Sequence, residues 1–283
     1  MFILSEPAFA GDLPANPNAS GGRRFYRSRN ALAGDALHWE ATVSMPADVP
    51  NWDDMVGCSL RAGLRAAKQS LKPAFVVWGL MLGVAVLYYA VPASQAMFTS
   101  LARFQDRLGL LFPFLGMGFS VGLMAEGVKV CMSKEKRWTR ENSINAVFNF
   151  ALFGSLGVVQ NYFYALQETM FGMGSSWKVL LPKVLMDQFV FTVFFANPYQ
   201  SVLYLWRNRG FSWKAVTAQL FPFKPFWGTQ VLPVLIANWF FWIPMVSIIY
   251  CFPSELQLPL AILAVTIWVL LLSILTSENR EEA

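Results

Sequence analysis

Residues 183–198 read KVLMDQFVFTVFFANP. One threonine is the only polar residue between Phe189 and Ala196, yet Lys183 and Asp187 stand just ahead of that run, one helical turn apart. Followed in both directions, the apolar stretch extends from Val179 to Trp206. A helix needs roughly 20 such residues to cross a hydrocarbon core of about 30 Å. Five more stretches meet this length: Pro73–Val91, Leu108–Met132, Ile144–Leu166, Val231–Phe252 and Leu256–Thr276. The composition agrees. The chain has 283 residues, 55% hydrophobic and 16% aromatic, and only 14% are charged, where soluble domains carry about a quarter. Its mean hydropathy is +0.43. The expected fold class is all-α: a polytopic helical transmembrane bundle of about six spans over residues 73–276, preceded by a basic amphipathic helix.

That preceding helix is read over residues 51–72. Met55, Val56, Leu60, Leu64, Ala67 and Leu71 recur at helical spacing, and Arg61, Arg65, Lys68 and Lys72 fall on another face. This pattern suits a helix lying on a membrane surface, or a short soluble helix packed on the loops. Residues 1–50, rich in Pro, Gly, Asn, Ala and Ser without a sustained period, read as a disordered polar tail. Residues 277–283 read as a short polar C-terminal tail. The apolar run Met1–Leu4 has no positive charge before it, so the N-terminus is not read as a secretory signal.

Loop charge tests the span count independently. Basic residues gather before the first span, between spans two and three (Lys134, Lys136, Arg137, Arg140), and between spans four and five (Arg207, Arg209, Lys214, Lys224). The alternate loops hold few. Six spans with both termini on the cytoplasmic side predict this alternation. The net charge of +5 is therefore assigned to loops that meet anionic lipid headgroups, and nucleic acid is not an expected partner. Expected partners are the lipid bilayer, its anionic headgroups and, as an open option, a second copy of the chain. Gly79 with Gly83, Gly118 with Gly122, and Gly154 with Gly157 mark faces where membrane helices can approach closely.

Catalytic chemistry has little to work with. The three cysteines, Cys58, Cys131 and Cys251, are far apart, and His38 is the single histidine. No disulfide framework or zinc spacing follows, and neither a His-based metal cluster nor a Ser-His-Asp triad fits. No Gly-rich phosphate loop is present. No enzyme activity and no cofactor are expected.

Ionisable groups inside a span cost from about 2.5 to more than 10 kcal/mol at the bilayer centre, so those present face protein or water. Lys183 with Asp187, and Glu126 with Lys129, each share a helix face and can neutralise each other. The Glu126–Lys129 pair lies near the end of its span, where snorkelling to the interface is expected. Asn145, Asn149, Gln160, Asn161, Gln188, Asn197, Gln200, Gln230 and Asn238 add polar groups to the spans. Two readings stand side by side: these residues line a hydrated path, or they hold the helices in register by buried hydrogen bonds.

Over residues 140–273 the chain resembles the Mpv-seventeen / peroxisomal membrane protein family. Lys183-Val-Leu-Met-Asp187-Gln188 is similar to that family's Lys-x-x-x-Asp-Gln. Gly157-Val-Val-Gln-Asn161-Tyr-Phe163-Tyr164 is similar to its Gly-Pro-x-x-His-x-Trp-Tyr, with Val158, Asn161 and Phe163 in place of Pro, His and Trp. Phe226-Trp227-Gly-Thr-Gln230, Asn238-Trp239 and Trp268-Val-Leu-Leu-Leu272-Ser273 echo its later motifs. The family is usually drawn with four spans rather than six. The resemblance implies an integral membrane protein associated with channel activity and metabolite homeostasis. It implies a bacterial inner membrane, or a mitochondrial inner or peroxisomal membrane in a eukaryote. It also carries over Lys183, Asp187 and Gln188 as characteristic positions, with Tyr164, Gln230 and Asn238 beside them. The leading expectation is a channel-like or metabolite- or ion-permeation protein, and the alternative is a non-transporting scaffold or assembly factor.

Overall fold

The computed structural model describes residues 52–133, 135–221 and 223–281; the expected tail over residues 1–50 lies outside them. Among the described residues the chain is helical throughout, with no strand. The helices are α1 (Trp52–Gln69), α2 (Leu71–Ala90), α3 (Gln95–Leu108), α4 (Leu111–Met132), α5 (Arg140–Phe171), α6 (Trp177–Asn208), α7 (Trp213–Leu220), α8 (residues 223–249) and α9 (Ser254–Glu281). Six of them contain a segment long and apolar enough to cross a membrane: α2, α4, α5, α6, α8 from Leu232, and α9 over Ser254–Leu271. They coincide with the six stretches expected from the sequence. The helices overrun those stretches where polar caps and charged turns continue the backbone pattern. Thr139, for example, caps α5 by accepting from the Asn142 amide, and Asn142 Oδ1 accepts in return from the Thr139 amide at 2.9 Å, a reciprocal cap. At its other end α5 stops at Gly172, whose φ of 82° is a left-handed conformation that suits glycine. Residues 277–281, part of the expected C-terminal tail, are the last turn of α9.

Packing shows which small residues were placed for contact. A Cβ on Gly118 would lie 2.8 Å from the Phe150 carbonyl oxygen, and one on Gly122 2.8 Å from that of Ala146. Reciprocally, Gly154 closes on the Phe114 carbonyl at 2.9 Å and Gly157 on that of Pro113 at 2.5 Å. The paired numbers fall on one side as they rise on the other, so α4 and α5 run antiparallel with their backbones almost in contact. Dispersion and close approach, not the hydrophobic effect, hold helices together in lipid, and these four glycines make that approach possible. Gly79 and Gly83 meet nothing within 4 Å.

The sixth apolar segment is the most buried, at 56% of its length, and the first the least, at 22%. So α9 runs through the centre, with Trp268 and Val265 fully enclosed, and α2 lies at the edge. There Trp78 donates to the Phe241 carbonyl at 3.1 Å, and Tyr89 donates to that of Cys251. Spans one and five thus run in the same direction, as odd-numbered spans must.

Before the bundle, α1 packs on the start of α8. Its buried residues are small: Ser59, Ala62, Gly63 and Ala67. A Cβ on Gly63 would meet that of Ile236 at 2.7 Å, and the Ser59 hydroxyl donates to the Gly228 carbonyl. Its outward side carries Leu60, Leu64, Arg61, Arg65 and Lys68, and Lys72 projects from the first turn of α2. Two further short helices are absent from a reading based on apolar length. These are α3, which buries only Phe98, and α7, which packs Val216 against Leu205, Phe226 and Val231.

Three segments widen from α- to π-helical hydrogen bonding: Phe119–Met124 in α4, Met186–Ala196 in α6, and Trp227–Val231 in α8. The latter two each end two residues before a proline, Pro198 and Pro233. A proline lacks the amide hydrogen and its ring crowds the carbonyl four residues back, and widening the helix relieves that crowding. Carbonyls loosened this way find side-chain donors on other helices. Gln188 O accepts from Trp239 Nε1 at 2.8 Å, and Gly228 O accepts from Ser59.

Candidate functional site

The widened part of α6 forms one wall of a polar cleft inside the bundle. Ladders of i→i+5 bonds bring residues five apart onto one side of the helix, which places Asp187 and Thr192 together. The cleft and the open solvent at its mouth together span about 550 Å³. From α6 it receives Asp187, Gln188, Thr192, Asn197 and Gln200. Gln160 enters from α5 and Asn238 from α8, while Met117, Phe191, Trp242 and Val265 supply apolar lining.

Asp187 is only 3% exposed. Its Oδ2 accepts from the Tyr250 hydroxyl, and its Oδ1 accepts from Gln188 Nε2 at 3.1 Å. Lys183 forms no ion pair with it. That side chain is also buried, and the acid whose charge acts on it is Glu168 of α5. The π-helical widening begins between the two, at Met186. One turn of sequence spacing therefore does not become a contact, because a phenol from the end of α8 and the neighbouring amide occupy the carboxylate instead.

Several cleft atoms lack partners. Gln188 Oε1 and Asn197 Nδ2 are buried without a hydrogen bond, in side chains 2% and 3% exposed. Gln167 Oε1, just behind the cleft, is in the same state. A dry orphan of this kind costs about 1–3 kcal/mol, and a cleft with polar lining offers such atoms water as partner.

The cleft belongs to a longer seam between α5 and α6. Gln167 Nε2 donates to the Lys183 carbonyl at 2.9 Å. The hydroxyls of Ser155 and Tyr199 meet at 2.8 Å, and Tyr204 donates to Asn149 Oδ1 at 2.9 Å. Arg207 lies over the Phe148 ring, 5.9 Å from its centre. From Lys183 to Tyr204 the seam covers roughly 30 Å at 1.5 Å per residue, about the thickness of a hydrocarbon core.

Near its basic end sits the second carboxylate. Glu126 is 1% exposed and does not snorkel to the interface as its position near the span end predicted. Its Oε1 accepts from Lys129 Nζ at 2.7 Å and its Oε2 from Asn142 Nδ2 at 3.0 Å. Asn142, already the capping partner of Thr139, thus ties the start of α5 to the end of α4. Glu126→Leu is expected to destabilise the fold by about 2–3 kcal/mol. That lies below the usual 3–5 for breaking a buried pair, because Lys129 is 27% exposed and can turn outward. Glu126→Gln, which keeps the Asn142 contact, is expected to cost less in the same thermal-unfolding measurement in detergent.

Of the positions singled out from sequence, the cleft unites Asp187, Gln188 and Asn238 with Gln160, Asn197 and Gln200. Tyr164 stands behind Asp187 and packs edge-on against Tyr250 at 5.5 Å, and its hydroxyl accepts from Gln160 at 2.9 Å. Lys183 and the half-buried Asn161 lie outside the cleft, and Gln230 is exposed in the widened turn of α8. Sequence reasoning missed Tyr250 and Thr192. Tyr250 resembles any interfacial aromatic at a span end, and α-helical counting sets Thr192 about 140° round the helix from Asp187. Among the described residues, no cluster of three or more His, Cys, Asp or Glu is placed to hold a metal.

Fold and site together define an integral membrane protein: a helical bundle of six apolar helices around a polar cleft. Comparison with known proteins finds no matching family model, no similar curated protein and no similar solved structure.

Proposed function

We propose that the chain is a channel-like permeation protein of the Mpv-seventeen type, and that solutes pass through the cleft beside Asp187. The observation that carries this reading is the state of the cleft's polar groups. Side chains that only held helices in register would be satisfied by one another. Here an acid without a cationic partner, an orphan carbonyl oxygen of Gln188 and an orphan amide nitrogen of Asn197 surround one open space. A hydrated interior meets all three needs. The resemblance in Lys183, Asp187 and Gln188 supports the same reading, as does the length of the polar seam. Its compartment is then the one the resemblance implies, a bacterial inner membrane or a mitochondrial inner or peroxisomal membrane.

Purified full-length protein in liposomes is expected to pass ions or small polar solutes, read by single-channel conductance and by solute release. Asp187→Asn is expected to alter conductance or ion preference while size-exclusion behaviour stays that of the wild type. Unchanged conductance and preference in a folded variant would remove Asp187 from the path. The second reading, a non-transporting scaffold, is favoured by the outward basic and leucine-bearing side of α1. It predicts no flux at all, and partners that co-purify with the full chain and are lost when Arg61, Arg65, Lys68 and Lys72 are changed together to glutamine.

A further inference from the structure

We infer that Asp187 is a proton-exchanging site, with Tyr250 and Gln188 as the groups that hold its two protonation states, and that the proton is a species the cleft passes. The passage half rests on the permeation reading above. Protonation of the acid stands on its geometry alone.

A carboxylate enclosed in the bundle and lacking a cation within ion-pair distance is strongly disfavoured, so it takes a proton or a cation from the space beside it. The groups facing it are few. Thr192 faces it from the same widened helix, Tyr164 from α5 and Tyr250 from the end of α8, the last two neutral phenols at ordinary pH. Glu168 of α5 lies beyond and its charge acts on Lys183, and Lys183 on the same helix forms no ion pair with the carboxylate. The lining contributed by α4 and α9 is apolar: Met117, Ala261 and Val265. Among the described residues, no neighbouring helix supplies the missing positive charge.

Gln188 gives the site two matched states. With Asp187 ionised, Nε2 donates to Oδ1 and Oε1 has no partner. When water in the cleft hands a proton to Oδ1, the new O–H needs an acceptor. A half-turn of the Gln188 amide presents Oε1 to it, since amide oxygen and nitrogen occupy interchangeable positions. The O–H bond on the acid forms as one on the hydronium breaks, and a neutral acid and a water remain. Release reverses the step. Tyr250 keeps its bond to Oδ2 in both states and fixes the carboxyl plane, so it and Gln188 are positioning residues.

The experiment uses the full chain in liposomes, with infrared spectra recorded across pH and proton entry followed by an internal pH-sensitive dye under an imposed potassium diffusion potential. A carboxyl C=O stretch that appears as pH falls and is absent in Asp187→Asn is expected, with proton entry reduced about 100-fold, the scale of a positioned proton-transfer group. Should Asp187→Asn fail to fold, Tyr250→Phe and Gln188→Leu retain the carboxyl. Both are expected to shift its band and its midpoint pH, because each loses one hydrogen bond to it. A carboxyl band that persists unchanged in Asp187→Asn, or never responds to pH, overturns the protonation. Solute flux without proton entry overturns the proton as permeant and leaves the channel reading standing. Absence of every flux overturns the channel reading, while the infrared band still decides the state of Asp187.

Discussion

Gly122→Val is expected to separate α4 from α5 and to lower stability by about 3 kcal/mol or more, while Gly79→Val leaves it nearly unchanged. The two glycines look alike in sequence, each half of a Gly-x-x-x-Gly pair in an apolar span. At Gly122 the first added carbon would already lie 2.7 Å from the Phe150 amide nitrogen and 2.8 Å from the Ala146 carbonyl oxygen. Those are backbone atoms of a facing helix and cannot rotate away, so α5 must move. Overpacking a tight contact costs about 1–3 kcal/mol, and the two further carbons of valine fall in the same closed space. Gly157→Val is expected to behave likewise, its Cβ position being 2.5 Å from the Pro113 carbonyl. The double variant should cost less than the sum, since one displaced interface serves both. Thermal unfolding in detergent, followed by size-exclusion, measures all four variants. Equal melting temperatures for the Gly79 and Gly122 variants would contradict the α4–α5 packing described here.

Trp268→Ala is expected to be the most damaging change in α9, at about 3 kcal/mol. Trp268 is fully buried and stacks on Phe241 of α8 with ring centres 3.8 Å apart. Large-to-small changes of this kind cost about 3–5 kcal/mol in water-soluble cores. The lower end applies here, because transfer from water contributes little where the unfolded helices remain in lipid. Its position adds a second effect. Val265 and Ala261, one and two turns earlier on the same face of α9, line the polar cleft, so the lost indole opens space toward it. Lower stability together with a larger conductance is the expected result, and Trp268→Phe, which keeps a ring against Phe241, should show less of both.

Much of the architecture was legible because lipid is an exacting solvent. A span must be about 20 residues long and mostly apolar, and its backbone must satisfy itself. Those demands are written residue by residue, and the six expected spans are the six apolar helices found. The short helices α3 and α7 were not legible by that rule, since neither needs to cross the membrane. The glycine signal was half legible. Gly118, Gly122, Gly154 and Gly157 are zipped together, whereas Gly79 and Gly83 face outward, and sequence offers no means of telling a contacted glycine from an open one.

For KVLMDQFVFTVFFANP the division is sharp. Its apolar length, the placement of an acid within it and the proline at its end are properties of the string, and they determine a span, a buried charge and a perturbed helix. What the charge touches is not. Spacing by 3.6 residues pairs Asp187 with Lys183, but that count assumes an unbroken α-helix and an unoccupied carboxylate. The helix widens at Met186, and Tyr250, 63 residues later, reaches Asp187 first. Only the packing of α6 against α5 and α8 could decide that, because the partner comes from a distant segment whose approach no local pattern records.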